Sequence, residues 1–133
     1  MLMSEEAKKM ILAVEKKANE LGVAISVAVV DEHGTLMTFL RMDRAITISP
    51  RFSKAKAFTS GTLGMPTGDM AGFSGEGKPY FGIQSLYGGR LTTIAGGLPI
   101  LKEGKLVGGI GVGGSSDVSQ DVECAKAGLA AIE

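Results

Sequence analysis

Gly109, Gly111 and Gly114 stand at G-x-G-x-x-G spacing, directly after a strand-like run and directly before a helix-like one. The chemistry such a loop serves is anion binding: glycines permit a tight turn, bring backbone close to a pyrophosphate and seat it on a helix N-terminus. A dinucleotide site also requires a βαβ unit, whose second parallel strand brings an acidic residue for the ribose about twenty positions later. After these glycines a helix-like pattern runs to Glu133, and the strands before them read as hairpin-connected, so a dinucleotide fold is not expected. Gly108, Gly109, Gly111 and Gly113 instead predict a strand almost bare of side chains on one face. A helix, a neighbouring subunit or a flat ligand can approach it closely.

Arg41 and Asp43 are predicted to share one face near the end of a strand. There Arg41 either pairs with a ligand carboxylate that Asp43 helps to orient, or pairs internally with Asp43 and locks the strand end. Lys54 and Lys56 fall among Ala55, Ala57 and Phe58 on a predicted helix; each is either a solvated or snorkelling side chain or an anion partner. A Schiff-base role would need a desolvated pocket around one of them. The single histidine, His33, rules out His-His metal motifs, and the single cysteine, Cys124, rules out a Cys-rich zinc site and an intramolecular disulfide. No metal site is expected. Cys124 lies on the small-residue side of the last helix with Gly128 and Ala131, which predicts a buried, inert thiol. No Ser-His-Asp arrangement is supported, so a conventional hydrolase is not expected.

The elements that must position these groups form one domain, residues 1–133, long enough to bury a single core without disulfides or metals. Ser4 is placed as the N-cap of a first helix, with Glu5 and Glu6 at its positive end; Ala7, Met10, Ile11, Val14, Ala18 and Leu21 recur at helical spacing, and Gly22 ends it. Val23, Ile25, Val27 and Val29 then alternate with Ala24, Ser26 and Ala28, predicting a strand covered on both faces. The turn DEHG and the run TLMTFLRMD complete a hairpin. Ser49 as N-cap and Pro50 at the first helical position open a second helix to about Thr62. From Gly64 to Leu91, eight glycines and the aromatics Phe73, Tyr80, Phe81 and Tyr87 predict a long irregular excursion with short helical turns, of the kind that covers a binding site. LTTIAGG, LPIL and KLVGGIGVGG read as three strands, the last two joined by a tight turn at Lys102, Glu103 and Gly104. A C-terminal helix begins near Asp117, which forms a capping-box-like pair with Gln120, and carries Val118, Val122, Ala125, Leu129 and Ile132 on one face.

Fourteen basic and fourteen acidic residues leave no net charge, which argues against nucleic acid and anionic membranes as partners. The start MLMSEEAKKM lacks a basic, then long apolar, signal-like pattern, and no run approaches the roughly 18 unbroken apolar residues of a membrane span; a soluble, cytoplasmic protein is expected. Twenty glycines, zero net charge and a positive mean hydropathy point to self-association as a homo-oligomer.

Taken in order, D-x-x-G-x-L (Asp31–Leu36), R-M-D (Arg41–Asp43), K-A (Lys56, Ala57), G-G-x-P-I (Gly96–Ile100), G-x-L-V-G (Gly104–Gly108), G-V-G-G (Gly111–Gly114) and Q-D (Gln120, Asp121) resemble the GlcG/HbpS-like family, which includes the C-terminal domain of PduO-type proteins. The resemblance spans nearly the whole chain. It implies an α+β fold with a mainly antiparallel five-stranded sheet, in the order α-β-β-α-(irregular)-β-β-β-α, assembled into homo-oligomers. It also implies haem as a possible cofactor, degraded in some members, and links to glycolate, glycerol or propanediol metabolism and corrinoid chemistry. Histidine is a haem-ligand type, but His33 sits in a predicted turn and is expected to be exposed. The candidate ligand-binding residues are therefore Arg41, Asp43, Lys56, Gly96, Gly97, Gly111, Gly113 and Gly114. They fit a small-molecule-binding protein for haem, a corrinoid or a small metabolite acid; a ligand-free assembly or scaffold module and an enzyme acting on a small oxidised metabolite are the other two expectations.

Overall fold

Two antiparallel hairpins, each closed by a turn encoded locally, build the sheet. The computed structural model describes residues 1–133, ordered as α1 (Ser4–Leu21), β1 (Ser26–Asp31), β2 (Leu36–Arg41), α2 (Ser49–Leu63), α3 (Thr67–Ser74), a 3₁₀ segment (Ile83–Gly89), β3 (Gly97–Lys102), β4 (Lys105–Gly113) and α4 (Val118–Ala130). In the first hairpin the Asp31 carboxylate accepts the backbone N–H groups of His33 at 2.9 Å and Thr35 at 3.0 Å. In the second, Glu103 at φ 50° and Gly104 at φ 78° supply the positive-φ pair whose twist suits a two-residue turn. β4 pairs with both β1 and β3, so the order is β2-β1-β4-β3 and every ladder is antiparallel. With no parallel pair there is no βαβ unit, as expected from the sequence.

Both faces of β1 are covered, as its alternation predicts. Val27 and Val29 are buried with Met10, Ile11 and Val14 of α1 and with Cys124 and Ala125 of α4; Ala28 and Val30 meet Ala57 of α2 on the other face. The bare face of β4 receives α2. A side chain at Gly109 would overlap the Ala57 carbonyl, one at Gly111 the Ser53 carbonyl, and one at Gly113 would stand 2.5 Å from Phe52 Cβ. Gly108 does not share that face: it lies against the Val30 backbone and Leu2.

Several expectations need correction. The sheet has four strands, not five, because LTTIAGG forms no ladder before Gly97. Its backbone donors go to threonine hydroxyls: Thr92 N–H to Thr59 Oγ1 at 3.0 Å, Ile94 N–H to Thr92 Oγ1 at 3.2 Å, and Gly97 N–H to Thr67 Oγ1 at 2.9 Å. β2 ends at Arg41, so Asp43 lies in the turn beyond it and does not share a strand face with Arg41. The buried side of α4 is Asp121, Cys124, Ala125 and Gly128, whereas Val118 is 42% exposed. Gly128 explains the rotation: a side chain there would stand 2.5 Å from Ile110 Cδ1 and 2.9 Å from Val14 Cγ2, so its absence lets α4 settle onto α1 and the sheet. Ser4 and Ser49 are the first helical residues rather than caps. Glu6 satisfies the Met3 N–H at 2.9 Å, and Ser49 turns inward to share a 2.8 Å hydrogen bond with Ser26. Asp117 does cap α4, accepting from the Ser119 N–H.

Candidate functional site

Lys56 is the largest fully buried side chain of the molecule. It lies on the inward side of α2, where Gly111 leaves room: a side chain at Gly111 would stand 2.9 Å from Lys56 Cβ. Gly96 and Gly97 close over it, since substituents there would stand 2.8 Å from Nζ and 2.5 Å from the Lys56 carbonyl oxygen. Nζ donates to the Val112 carbonyl at 2.8 Å and to Asp121 Oδ2 at 3.2 Å, and Asp121 Oδ1 accepts the Ser115 N–H at 3.2 Å. Burial pushes the Lys56 pKa down and the Asp121 pKa up, and in each case the opposite charge of the partner opposes the shift. The fold thus gathers Lys56, Gly96, Gly97 and Gly111, together with Asp121, into a closed ionic lock. No buried side-chain nitrogen or oxygen lacks a partner, so each polar side-chain atom of the lock is already engaged within the protein. Gly113 and Gly114 stand apart from it, against Phe52 and against Ala24 and Ser49 respectively.

At the β2 end the Arg41 guanidinium donates to the Ala45 carbonyl at 2.7 Å. Neither Arg41 nor Asp43 belongs to an ion pair. Asp43 lines a depression of about 460 Å³ with Arg44, Glu15 and Asn19; Arg41 does not. Two carboxylates beside one guanidinium give that depression no preference for an anion. His33 is 78% exposed, its Nε2 3.6 Å from Glu32 Oε1, and Cys124 is buried with its thiol pushed up to about 11, chiefly by burial. Both conform to the sequence reading.

A third place has a single sign of charge. Between the outer side of α2 and the 3₁₀ segment with its continuation to Ile94 runs an open groove of about 510 Å³, within the roughly 300–1,000 Å³ of small-ligand sites. Arg51 and Lys54 enter it from α2 and Arg90 from the far wall, beside the apolar Ile48, Phe52, Leu91 and Ile94. No aspartate or glutamate lines it. Lys54 Nζ lies 4.9 Å from the Phe39 ring centroid and Arg90 Cζ 3.9 Å from that of Phe58, contacts that hold a cation over an aromatic face. Tyr87 in turn packs edge-on against Phe58 at 5.4 Å. The expected glycine-rich excursion forms one wall of a groove, and of the groove's cations the sequence singled out Lys54 but not Arg51 or Arg90. The available signal is regional: residues 44–68 hold Arg44, Arg51, Lys54 and Lys56 and no acidic residue. A larger depression of about 840 Å³ at the β3 edge carries Lys102 and Lys105 with Glu103 and Glu133, and so no such bias.

Comparison with known proteins agrees with this architecture. The chain is 37% identical over 123 residues to an uncharacterised 15.0 kDa protein of the dhaT-dhaS intergenic region of Citrobacter freundii, covering 92% of this chain and 86% of that one. It is 32% identical to the corrinoid adenosyltransferase PduO of Salmonella typhimurium over 90% of its own length, but spans only 35% of that relative. A crystal structure of a PduOC:heme complex superposes with a TM-score of 0.92 at 29% identity, covering 98% of this chain and 94% of the other. The family model described as haem degrading protein HbpS-like matches residues 2–130, and the chain belongs to this HbpS-like family.

Proposed function

We propose that this chain binds haem in the groove between α2 and the 3₁₀ segment, as a homo-oligomeric small-molecule-binding protein. The observation that carries the reading is the groove's composition: Arg51, Lys54 and Arg90 around an apolar floor, with no carboxylate. Haem presents two propionates on a flat apolar ring, and these residues match both parts: the cations the propionates, by charge-assisted hydrogen bonds, and Phe52, Leu91 and Ile94 the ring. When bound, haem would supply a redox-active iron; the chain's own residues supply orientation and charge. A small metabolite acid would leave the apolar floor without a partner, and a corrinoid, whose side chains are mostly neutral amides, would leave cations unpaired. Exposed Phe73, Phe81, Leu86 and Tyr87 on the excursion support self-association. The family resemblance supports an accessory place beside glycolate, glycerol or propanediol metabolism, and the kinship with the corrinoid adenosyltransferase PduO supports one beside corrinoid chemistry.

Haem titration followed by Soret absorption, with native mass spectrometry for stoichiometry, tests this. Arg51→Ala and Arg90→Ala are each expected to weaken binding roughly 10- to 100-fold, while Arg41→Ala, whose guanidinium is engaged with Ala45, leaves it near the wild-type value. A loss confined to Arg41→Ala would move the site to the β2 end. Failure of the wild type to bind haem would favour the assembly-module alternative.

A further inference from the structure

The walls of the groove hold none of the side chains that ligate haem iron. Histidine, cysteine, methionine and tyrosine are those types, and the lining residues include none of them. Tyr87 adjoins the lining residue Gly88 in sequence, but its ring is packed against Phe58. His33 stands in solvent at the β1–β2 turn. Recognition therefore falls to carboxylate pairing and to contact with the ring faces, both properties of the porphyrin and neither of the metal. Two of the three cations are also held in place before any ligand arrives, Lys54 over Phe39 and Arg90 over Phe58, and such preorganisation lowers the cost of ordering them on binding.

Resting on the haem reading above, we infer that the groove selects planar tetrapyrrole dicarboxylates irrespective of their metal, so that metal-free protoporphyrin binds there as haem does. No side chain that lines the groove would then ligate the iron of a bound haem.

The test titrates the full chain separately with haem, metal-free protoporphyrin IX, zinc protoporphyrin and protoporphyrin dimethyl ester, read by Soret absorption and porphyrin fluorescence. The three diacids should have dissociation constants within about tenfold of one another, and the ester should bind at least about tenfold more weakly than its diacid. The triple variant Arg51→Ala, Lys54→Ala, Arg90→Ala should weaken all three diacids in parallel. Haem binding with metal-free protoporphyrin weaker by more than about tenfold would overturn the inference while leaving the haem reading intact. A shift of the haem Soret band in Tyr87→Phe or His33→Ala would do the same by exposing an iron ligand. Absence of haem binding, or binding indifferent to the triple variant, would overturn the haem reading itself and the inference with it.

Discussion

Replacing Gly111 by alanine adds one methyl group where β4 meets α2, and the surroundings leave it no outlet. The new Cβ would overlap the Ser53 carbonyl oxygen and the Ala57 nitrogen and stand 2.9 Å from Lys56 Cβ, whereas comfortable carbon contacts lie at about 3.5–4.0 Å. Two of these three obstacles are backbone atoms of a helix, so no rotamer change relieves them. α2 must retreat by roughly 1 Å, which forfeits about a quarter to a half of the dispersion attraction at each affected contact. Overpacking of this kind costs about 1–3 kcal/mol where side chains can adjust; with backbone on both sides we expect the upper end, about 3 kcal/mol. For a chain of this length that is a fall in Tm of roughly 9–15 °C. Calorimetry and urea unfolding measure it, with Gly72→Ala as the comparison. Gly72 lies in α3 with nothing within 4 Å of an added methyl and no left-handed φ, so alanine there should raise stability by about 0.5–1 kcal/mol. A Gly111→Ala melting point within about 2 °C of wild type would refute the close-approach argument.

Lys56→Met leaves the Asp121 carboxylate buried without its cation, and urea unfolding should show a loss of about 3–5 kcal/mol; adding Asp121→Asn should recover part of it, and a double variant as damaged as the sum of the singles would argue against direct coupling. The Asp117 carboxyl is held below its usual range by hydrogen bonds from the Ser119 hydroxyl and amide. A depressed carboxyl stabilises the fold above its unfolded pKa, and the contribution fades as pH falls through the folded value. Asp117→Asn, which keeps a capping oxygen, should therefore differ from wild type at neutral pH and converge with it below about pH 4, as followed by thermal melts; a constant gap would refute the assignment.

What the sequence reveals and what it hides divide by range. The β1–β2 turn is legible because Asp31, His33, Gly34 and Thr35 settle it among themselves. The β3–β4 turn is legible for the same reason. LTTIAGG looks like a strand because its residues favour extended backbone, yet its donors are taken by Thr59 and Thr67, 33 and 30 positions from their partners. A hydroxyl at that distance leaves no periodic trace. Lys56 looks like a surface lysine among alanines, and only the fold brings Asp121, 65 positions on, to its ammonium group. The R-M-D motif is visible, but its grouping depends on where β2 stops. The grouping of the groove cations is hidden in the same way, since Arg90 reaches Arg51 and Lys54 only after the excursion has folded back over Phe58.

The two halves of the problem meet on α2. Its inward side carries Ser53, Lys56, Ala57 and Ser60, all buried, while Arg51 and Lys54 point outward and are exposed. The glycines of β4 set how low the helix lies, because its backbone rests on theirs at Gly109 and Gly111. The opposite wall of the groove is referenced to the same helix, through the Thr92 N–H to Thr59 Oγ1 hydrogen bond and through Arg90 and Tyr87 on Phe58. Raising α2 therefore carries Arg51, Lys54 and the anchoring points of Arg90 together, and draws Lys54 away from Phe39 on β2. The glycine run that resembles a phosphate-binding loop thus bears on the proposed ligand from a distance: it fixes the seat of the helix, and the helix fixes the cations.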